Sequence, residues 1–284
     1  MAPLFSLSQY GAVFDAHAHS YFDLHDGRLS PAMFVKLSQR KGFNWVCGLT
    51  HDTTRGNHRL RAAAQAEHLP FLPAIEVSTC YNHILGYGVQ EWRWAKDSWD
   101  PEIAIERLRE QGCAVYASHP AATPLKTGGP WNNLVYELDF DGIEWINSIE
   151  VTHNPIVWKL LKNYPKGRIA GSDAHYTWTF GDAFTQVLTN SEDPDDIVAA
   201  MRKGKVSPHG RASNFLVVGA WIGREQLWKY SVGKIKVEGT WIKENWGKMG
   251  ILPNAPFSGK EWRDDFLTRR GKKWDSVHRM VVIA

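Results

Sequence analysis

Seven short apolar runs, "AVFDAHAH", "NWVCGLTH", "FLPAIEVST", "HILGYG", "CAVYASHP", "GIEWINS" and "RIAGSDAH", punctuate the first 175 residues, and every one of them carries a histidine or a carboxylate. Their β-branched and aromatic content reads as strand. Between most of them lie helical patterns opened by a capping oxygen and a proline: Ser30–Pro31, Asp100–Pro101, Asn154–Pro155 and Asp193–Pro194. Gly42, Gly112 and Gly204 follow as stops. Such β-α alternation predicts a parallel sheet, open or closed into a barrel.

The placement of the polar residues in this pattern bears on function. His17 and His19 sit two apart at the end of the first run, so their side chains leave one face of a strand. His51 ends the second run, Glu76 lies late in the third, His83 opens the fourth, His119 ends the fifth, and Asp173 and His175 end the seventh. If the strands are parallel, these groups converge at one C-terminal mouth, where barrels and doubly wound sheets place their sites. Imidazole and carboxylate donors without cysteine suit Zn, Mn or Fe. The set exceeds what one tetrahedral ion needs, so more than one divalent ion is implied, an arrangement suited to hydrolysis. A lone strand histidine is more often a hydrogen-bonded core residue than a ligand, but two paired motifs with further strand-end donors are not explained that way.

A chain of 284 residues with 43% hydrophobic content can bury a substantial core. A formal charge of +3 permits an anionic partner without demanding one. Cys47, Cys80 and Cys113 lack CxxC spacing, which argues against a disulfide framework or a thiolate zinc site and reads as small buried residues. The N-terminus shows no basic leader and no run reaches about 18 apolar residues, so a soluble, cytoplasmic protein without membrane association is expected.

"DAHAHS", "LTHDT", "ASHP" and "GSDAH", in this order and with "HILGYG" between the second and third, resemble the motifs of the PHP (polymerase and histidinol phosphatase) family over about residues 12–210. The resemblance implies a distorted (β/α)7 barrel, three divalent metal ions (Mn, Zn or Fe) and hydrolysis of a phosphate ester by a hydroxide bridging two ions. It implies that His17, His19, Glu76 and Asp173 hold the first ion, that Glu76 bridges to a second held by His83 and His119, and that His51 and His175 hold the third. For the remaining ligand of the third, "SYFDLHDG" offers Asp26, favoured because "DGRLSP" matches the family run, with His25 second. Thr50 stands where the family usually has Asp, which is expected to alter the orientation of neighbouring ligands. For protonating the leaving group, Asp52, His153 and His209 are candidates; for holding phosphate, Arg55, Lys126 and Arg211. The stretch from Asp26 to Asn57 is most similar to the nucleotidase and oligoribonuclease subgroup, whose usual inserted subdomain is missing here between His83 and His119.

Residues 211–284 depart from the family and are expected to form a C-terminal domain or a belt on the barrel. From Ser213 onward they carry Trp221, Trp228, Trp241, Trp246, Trp262 and Trp274 and a net charge of about +6, from thirteen Lys and Arg against seven Asp and Glu. Aromatic planes beside cations suit single-stranded nucleic acid, and "LTRRGKKW", with Arg269 and Arg270, is the densest basic patch. The plainer reading packs the tryptophans on the barrel wall. The expected partner is a phosphorylated small molecule or a short single-stranded nucleic acid, with self-association left open. Two other readings are a TatD-like or amidohydrolase metal enzyme, and a non-catalytic nucleic-acid-binding module of the same family.

Overall fold

The computed structural model describes residues 11–22, 27–93, 95–121, 131, 133–220, 223 and 266–271. His25, Asp26, Lys126, Lys272, Lys273 and the six C-terminal tryptophans lie outside the described residues.

The strands form two sheets of a mixed α/β fold. One has the order β2 (Val46–Gly48), β3 (Phe71–Ser78), β4 (His83–Tyr87), β5 (Ala114–Ala117), β6 (Gly142–Asn147), β7 (Gly167–Gly171). The other holds β1 (Ala12–Phe14), β8 (Ala183–Val187) and β9 (Val206–Gly210). Beyond Phe14 the chain continues between the ends of the large sheet: Ala18 bridges Ala174 beyond β7, and His19 bridges Leu49 beyond β2. The curled six-stranded half-barrel is thereby spanned at its upper rim, as a (β/α) barrel requires.

The expected parallel sheet is corrected at two strands. β2–β3, β5–β6 and β6–β7 are parallel, but β4 runs antiparallel to both neighbours, and β8 is antiparallel to β1 and β9. Only four residues, Thr79–Asn82, separate β3 from β4, enough for a hairpin and too few for the crossover a parallel pair needs. The reversal has a consequence for the site: Ser78 pairs with His83, so the first residue of β4 meets the last of β3 at the same mouth.

Helices α1 (Pro31–Lys41), α3 (Pro101–Glu110) and α6 (Pro194–Arg202) start as the caps predict, with Ser30, Asp100 and Asp193 accepting from the N–H groups of Met33, Glu102 and Asp195. Gly42 closes α1 at φ 79°, a left-handed geometry that glycine adopts without a Cβ penalty. The fourth expected cap is corrected. α5 (His153–Leu160) starts one residue before Asn154, whose amide holds Asn147 from both sides: its Oδ1 accepts from the Asn147 N–H and its Nδ2 donates to the Asn147 carbonyl, each at 2.9 Å. α2 (Asn57–Ala66) and the short α4 (Leu134–Glu137) are further helices, and residues 215–220 and 266–269 are also helical.

Apolar side chains from β1, β2, β3, β4, β5, β7 and β8 fill the interior, among them Phe14, Leu49, Leu72, Leu85, Tyr116 and Ile169, together with Ile197 and Met201 of α6. Outside the sheet, α3, α4 and α5 bury a second cluster around Trp131 and Phe140. Phe266 and Leu267 are fully buried in that outer cluster. Cys47, Cys80 and Cys113 are buried free thiols, as expected. Among the described residues no helix is long and apolar enough to cross a membrane.

Candidate metal centre

Period-two alternation carries the ligands inward. On β2, Cys47 and Leu49 face the interior and His51 continues their row; on β3, Leu72 and Ala74 are followed by Glu76. β4, reversed, brings His83 above Leu85 and Tyr87, and β7 leads from Ile169 through Gly171 to Asp173 and His175. His51, Glu76, His83, Asp173 and His175 therefore crown apolar rows of their own strands, whereas His17, His19 and His119 have the opposite parity to the interior residues Phe14 and Tyr116. The backbone seals the layer: Glu76 N–H donates to the Thr50 carbonyl and Asp52 N–H to that of Glu76, while His19 N–H donates to Ala174.

Four donor atoms meet at one point. His17 Nε2 and His19 Nε2 are 3.3 Å apart. Glu76 Oε2 lies 3.1 and 3.2 Å from them, and Asp173 Oδ1 lies 3.4 and 3.3 Å away. Five of the six edges of a four-atom figure are thus known, all between 3.1 and 3.4 Å. For metal–ligand distances of about 2.0–2.1 Å, tetrahedral ligand atoms are about 3.3–3.4 Å apart and right-angled neighbours of an octahedron about 3.0 Å. The protonation pattern agrees. His17 Nδ1 donates to Glu144 Oε1 at 2.9 Å, so Nε2 is the nitrogen turned toward the carboxylate oxygens of Glu76 and Asp173. Two carboxylates converging on that nitrogen make a position suited to positive charge, a proton or a metal cation.

Glu76 presents its two oxygens to different partners. Oε2 faces His17, His19 and His51 Nδ1 (3.4 Å); Oε1 faces His83 Nδ1 (3.0 Å) and His119 Nε2 (3.3 Å) and accepts from Ser118 Oγ (2.9 Å). A further group joins His51 and His175 to His19, whose ring stacks on both with centroids 4.7 and 4.2 Å apart. His175 Nδ1 donates to the Asp173 carbonyl at 2.9 Å, which in the neutral ring puts the lone pair on Nε2. Burial raises the carboxyl of Glu76, but His17, His51, His83 and the His119 hydrogen bond together hold it well below its ordinary range. Burial likewise disfavours charge on His17, yet Asp173, Glu76 and Glu144 push its pKa well above the usual value. The centre thus favours cations within it.

Beneath these donors lies a set of buried residues to which the sequence pattern assigns no role. Glu144 on β6 holds His17, accepts the His119 N–H at 2.8 Å, and accepts from Asn147 Nδ2 at 3.1 Å; the same amide donates to Asp173 Oδ2 at 3.1 Å. Asp15 accepts from the N–H groups of His17, Ser172 and Gly181 and from Ser172 Oγ, and burial pushes its carboxyl up to about 6 against these bonds. The signals were there: Asp15 shares the spacing of His17 and His19, and Glu144 is a lone charge in an apolar strand. Backbone strain collects here too. Of four non-glycine residues with positive φ among those described, Asp52 (55°), His119 (26°) and Asp173 (54°) border the centre.

The remaining expected residues are spread more widely. Asp52 is buried, its Oδ1 accepting the Ser78 N–H at 2.8 Å. Thr50 donates to the Thr53 carbonyl within the same turn. Arg55 and Arg211 are exposed on loops after β2 and β9. His153, far from being a surface-loop residue, is fully buried, its Nε2 accepting the Ala121 N–H at 3.0 Å, two residues beyond His119. His209 stacks on Phe184 (5.2 Å, 15°), with burial lowering its pKa, and is not among the grouped donors. Arg269 pairs with Asp100 and Glu102, and Arg270 with Glu102 and Glu137, so this arginine pair is engaged with the barrel's own carboxylates.

A mixed α/β barrel whose rim gathers histidines and carboxylates into adjoining groups defines a candidate metalloprotein. The PHP-associated family model matches residues 151–206, the segment that contains Asp173 and His175. Two uncharacterized proteins of Methanocaldococcus jannaschii are similar in sequence: one is 26% identical over 139 residues (48% of this chain, 78% of the relative), the other 27% over 135 residues (44% and 55%). Among solved structures, a two-domain protein from Bacteroides vulgatus containing a predicted PHP-like metal-dependent phosphoesterase aligns with a TM-score of 0.55 at 18% identity, covering 71% of this chain and 66% of that one. PsfC from Pseudomonas syringae aligns with a TM-score of 0.53 at 16% identity, covering 77% and 99%. The chain thus spans just over half the length of the second curated relative and about two thirds of the Bacteroides structure. The structural likenesses establish the shared fold, and the family match supports the PHP resemblance of the motifs.

Proposed function

We propose that the protein is a metal-dependent phosphoesterase acting on a nucleotide or short oligonucleotide. The observation that carries this reading is Glu76, whose two oxygens face separate histidine groups and so define adjoining cation positions. His17, His19, Glu76 and Asp173 would hold one ion; Glu76, His83 and His119 a second; His51 and His175 a third, beside His19. Such ions supply Lewis-acid charge to a phosphoryl group and acidify water for attack.

The chain's own residues then have distinct tasks. Glu76 keeps two positions at a fixed separation. Asp52, tied to the Ser78 N–H, holds the turn beyond His51 and stands nearest the donors as a proton-transfer group. His153 acts through the His119 turn as a positioning residue. Arg55 and Arg211, exposed on strand-end loops, attract the anionic ester, and Lys126 is proposed for the same task from the motif alone. His209 and the Arg269–Arg270 pair are given no part in turnover, because their rings and guanidiniums are committed to Phe184 and to acidic side chains.

The test is to strip the protein with chelator, reload it with Mn2+, and supply a short 5′-phosphorylated RNA, an aryl phosphate monoester and a diaryl phosphate diester. Hydrolysis of at least one, lost on stripping and on Glu76→Gln, is expected. Mononucleotide release makes it an exonuclease; inorganic phosphate alone makes it a phosphomonoesterase. Failure of the loaded protein to hydrolyse any of the three overturns the proposal.

A further inference from the structure

Glu144 touches two of the three donor groups without belonging to either. One oxygen accepts the Nδ1–H of His17, the other the backbone N–H of His119, and Asn147 bridges that second oxygen to Asp173. All five residues are buried, where a hydrogen bond is stronger than in water.

We infer that Glu144 is a positioning residue that couples the first cation position to the second. The inference rests on the reading of the cluster as a metal centre. Three effects meet in this one side chain. Accepting from Nδ1 fixes the His17 tautomer in which Nε2 carries the lone pair; without it the proton is free to sit on Nε2 and block the donor. Accepting from the His119 N–H holds a non-glycine backbone at φ 26°, a strained geometry that persists only when its surroundings enforce it. Orienting Asn147 aims Asp173, because the amide that donates to Glu144 Oε2 also donates to Asp173 Oδ2. Loss of Glu144 therefore releases a donor from each position and loosens a third, so the two positions weaken together.

Gln at this position tests the claim without opening a cavity. Its single carbonyl oxygen satisfies either His17 or the pair His119 and Asn147, and its NH2 group faces a donor on the other side. The experiment titrates metal-free full-length protein with Zn2+ alone, against a competing chelator, for the natural chain, Glu144→Gln, Glu76→Gln and Asn44→Ala. Asn44 serves as the control: it holds Val13 N–H (2.7 Å) and the Gly11 carbonyl (2.9 Å) at the far end of β1, so its loss loosens the strand and leaves the centre intact. Glu144→Gln is expected to weaken Zn2+ binding by about 10–100-fold at both of the positions that Glu76 serves. Nitrogen NMR of the Zn2+-loaded protein is expected to show the His17 Nδ1–H signal of the natural chain weakened or lost in Glu144→Gln. Zn2+ binding by Glu144→Gln no weaker than by Asn44→Ala, or an unchanged Nδ1–H signal, overturns the coupling role. Zn2+ binding that Glu76→Gln leaves untouched overturns the metal-centre reading itself, and the inference with it.

Discussion

Gly171 offers the sharpest test of how tightly the centre is built. It sits on β7 two residues before Asp173, with its inward face against the strand that carries His17. A methyl group added there would lie 2.5 Å from the His17 nitrogen and 2.8 Å from its α-carbon, and closer still to its β-carbon. Ordinary van der Waals separation begins near 3.4 Å, so relieving the α-carbon clash alone requires β1 and β7 to part by about 0.6 Å. Overpacking of this kind costs about 1–3 kcal/mol, which lowers the melting temperature by about 3–10 °C in a domain of this size. Ligand distances tolerate about 0.2 Å, and His17 and Asp173, on the two parted segments, belong to the same four-atom figure. Gly171→Ala is therefore expected to lose at least tenfold in Zn2+ affinity in addition to stability. Gly219→Ala, where an added Cβ meets nothing within 4 Å, is the comparison and should be neutral or slightly stabilising. Calorimetry and metal analysis read both effects. A Gly171→Ala protein with natural melting temperature and Zn2+ affinity would refute the argument that these two strands are held at one separation.

Other expectations follow from the same packing and bonding. Adding Zn2+ to stripped protein at about 100 times its Kd should stabilise it by about 2.7 kcal/mol, seen as a melting rise of about 5–10 °C; an unchanged melt would speak against specific binding. Phe266→Ala should cost about 3–5 kcal/mol, because the ring is fully buried beside Tyr81, whereas Arg269→Ala, with a half-exposed ion pair, should cost at most about 1 kcal/mol. Equal effects in urea unfolding would mean that the segment is held by charge rather than by burial. His153→Ala leaves the buried Ala121 N–H without its acceptor, at about 1–3 kcal/mol, and is expected to lower kcat with KM nearly unchanged; a rise in KM alone would place His153 at the substrate.

The gathering of the donor side chains was legible in the sequence because donor type and strand parity are local. His51, Glu76, His83, Asp173 and His175 follow from apolar rows that end in a donor, and a row of period two points one way wherever the strand is placed; His17 and His19 share one parity with each other but not with the interior row of Ala12, Phe14 and Ala16. Capping oxygens at Ser30, Asp100 and Asp193 were legible for the same reason, being settled within three residues. Asn154 was not, because its amide answers to Asn147, seven residues away across the β6–α5 turn.

What only the tertiary structure decided is pairing over distance. β4 reverses because a four-residue connection permits nothing else, and that reversal, rather than a parallel arrangement, brings His83 to the mouth. Glu144 reads in sequence as one charge in an apolar strand; it becomes a support for the centre only when β6 lies where His17, 127 residues earlier, and His119 can both reach it. His153, the first residue of α5, lies in the core once α5 packs on the sheet. The arginines of "LTRRGKKW" find partners in Asp100, Glu102 and Glu137. Residue types and alternation determined which groups would gather and on which face. Which buried carboxylate would hold them in register is a matter of strand order and direction, which no local pattern encodes.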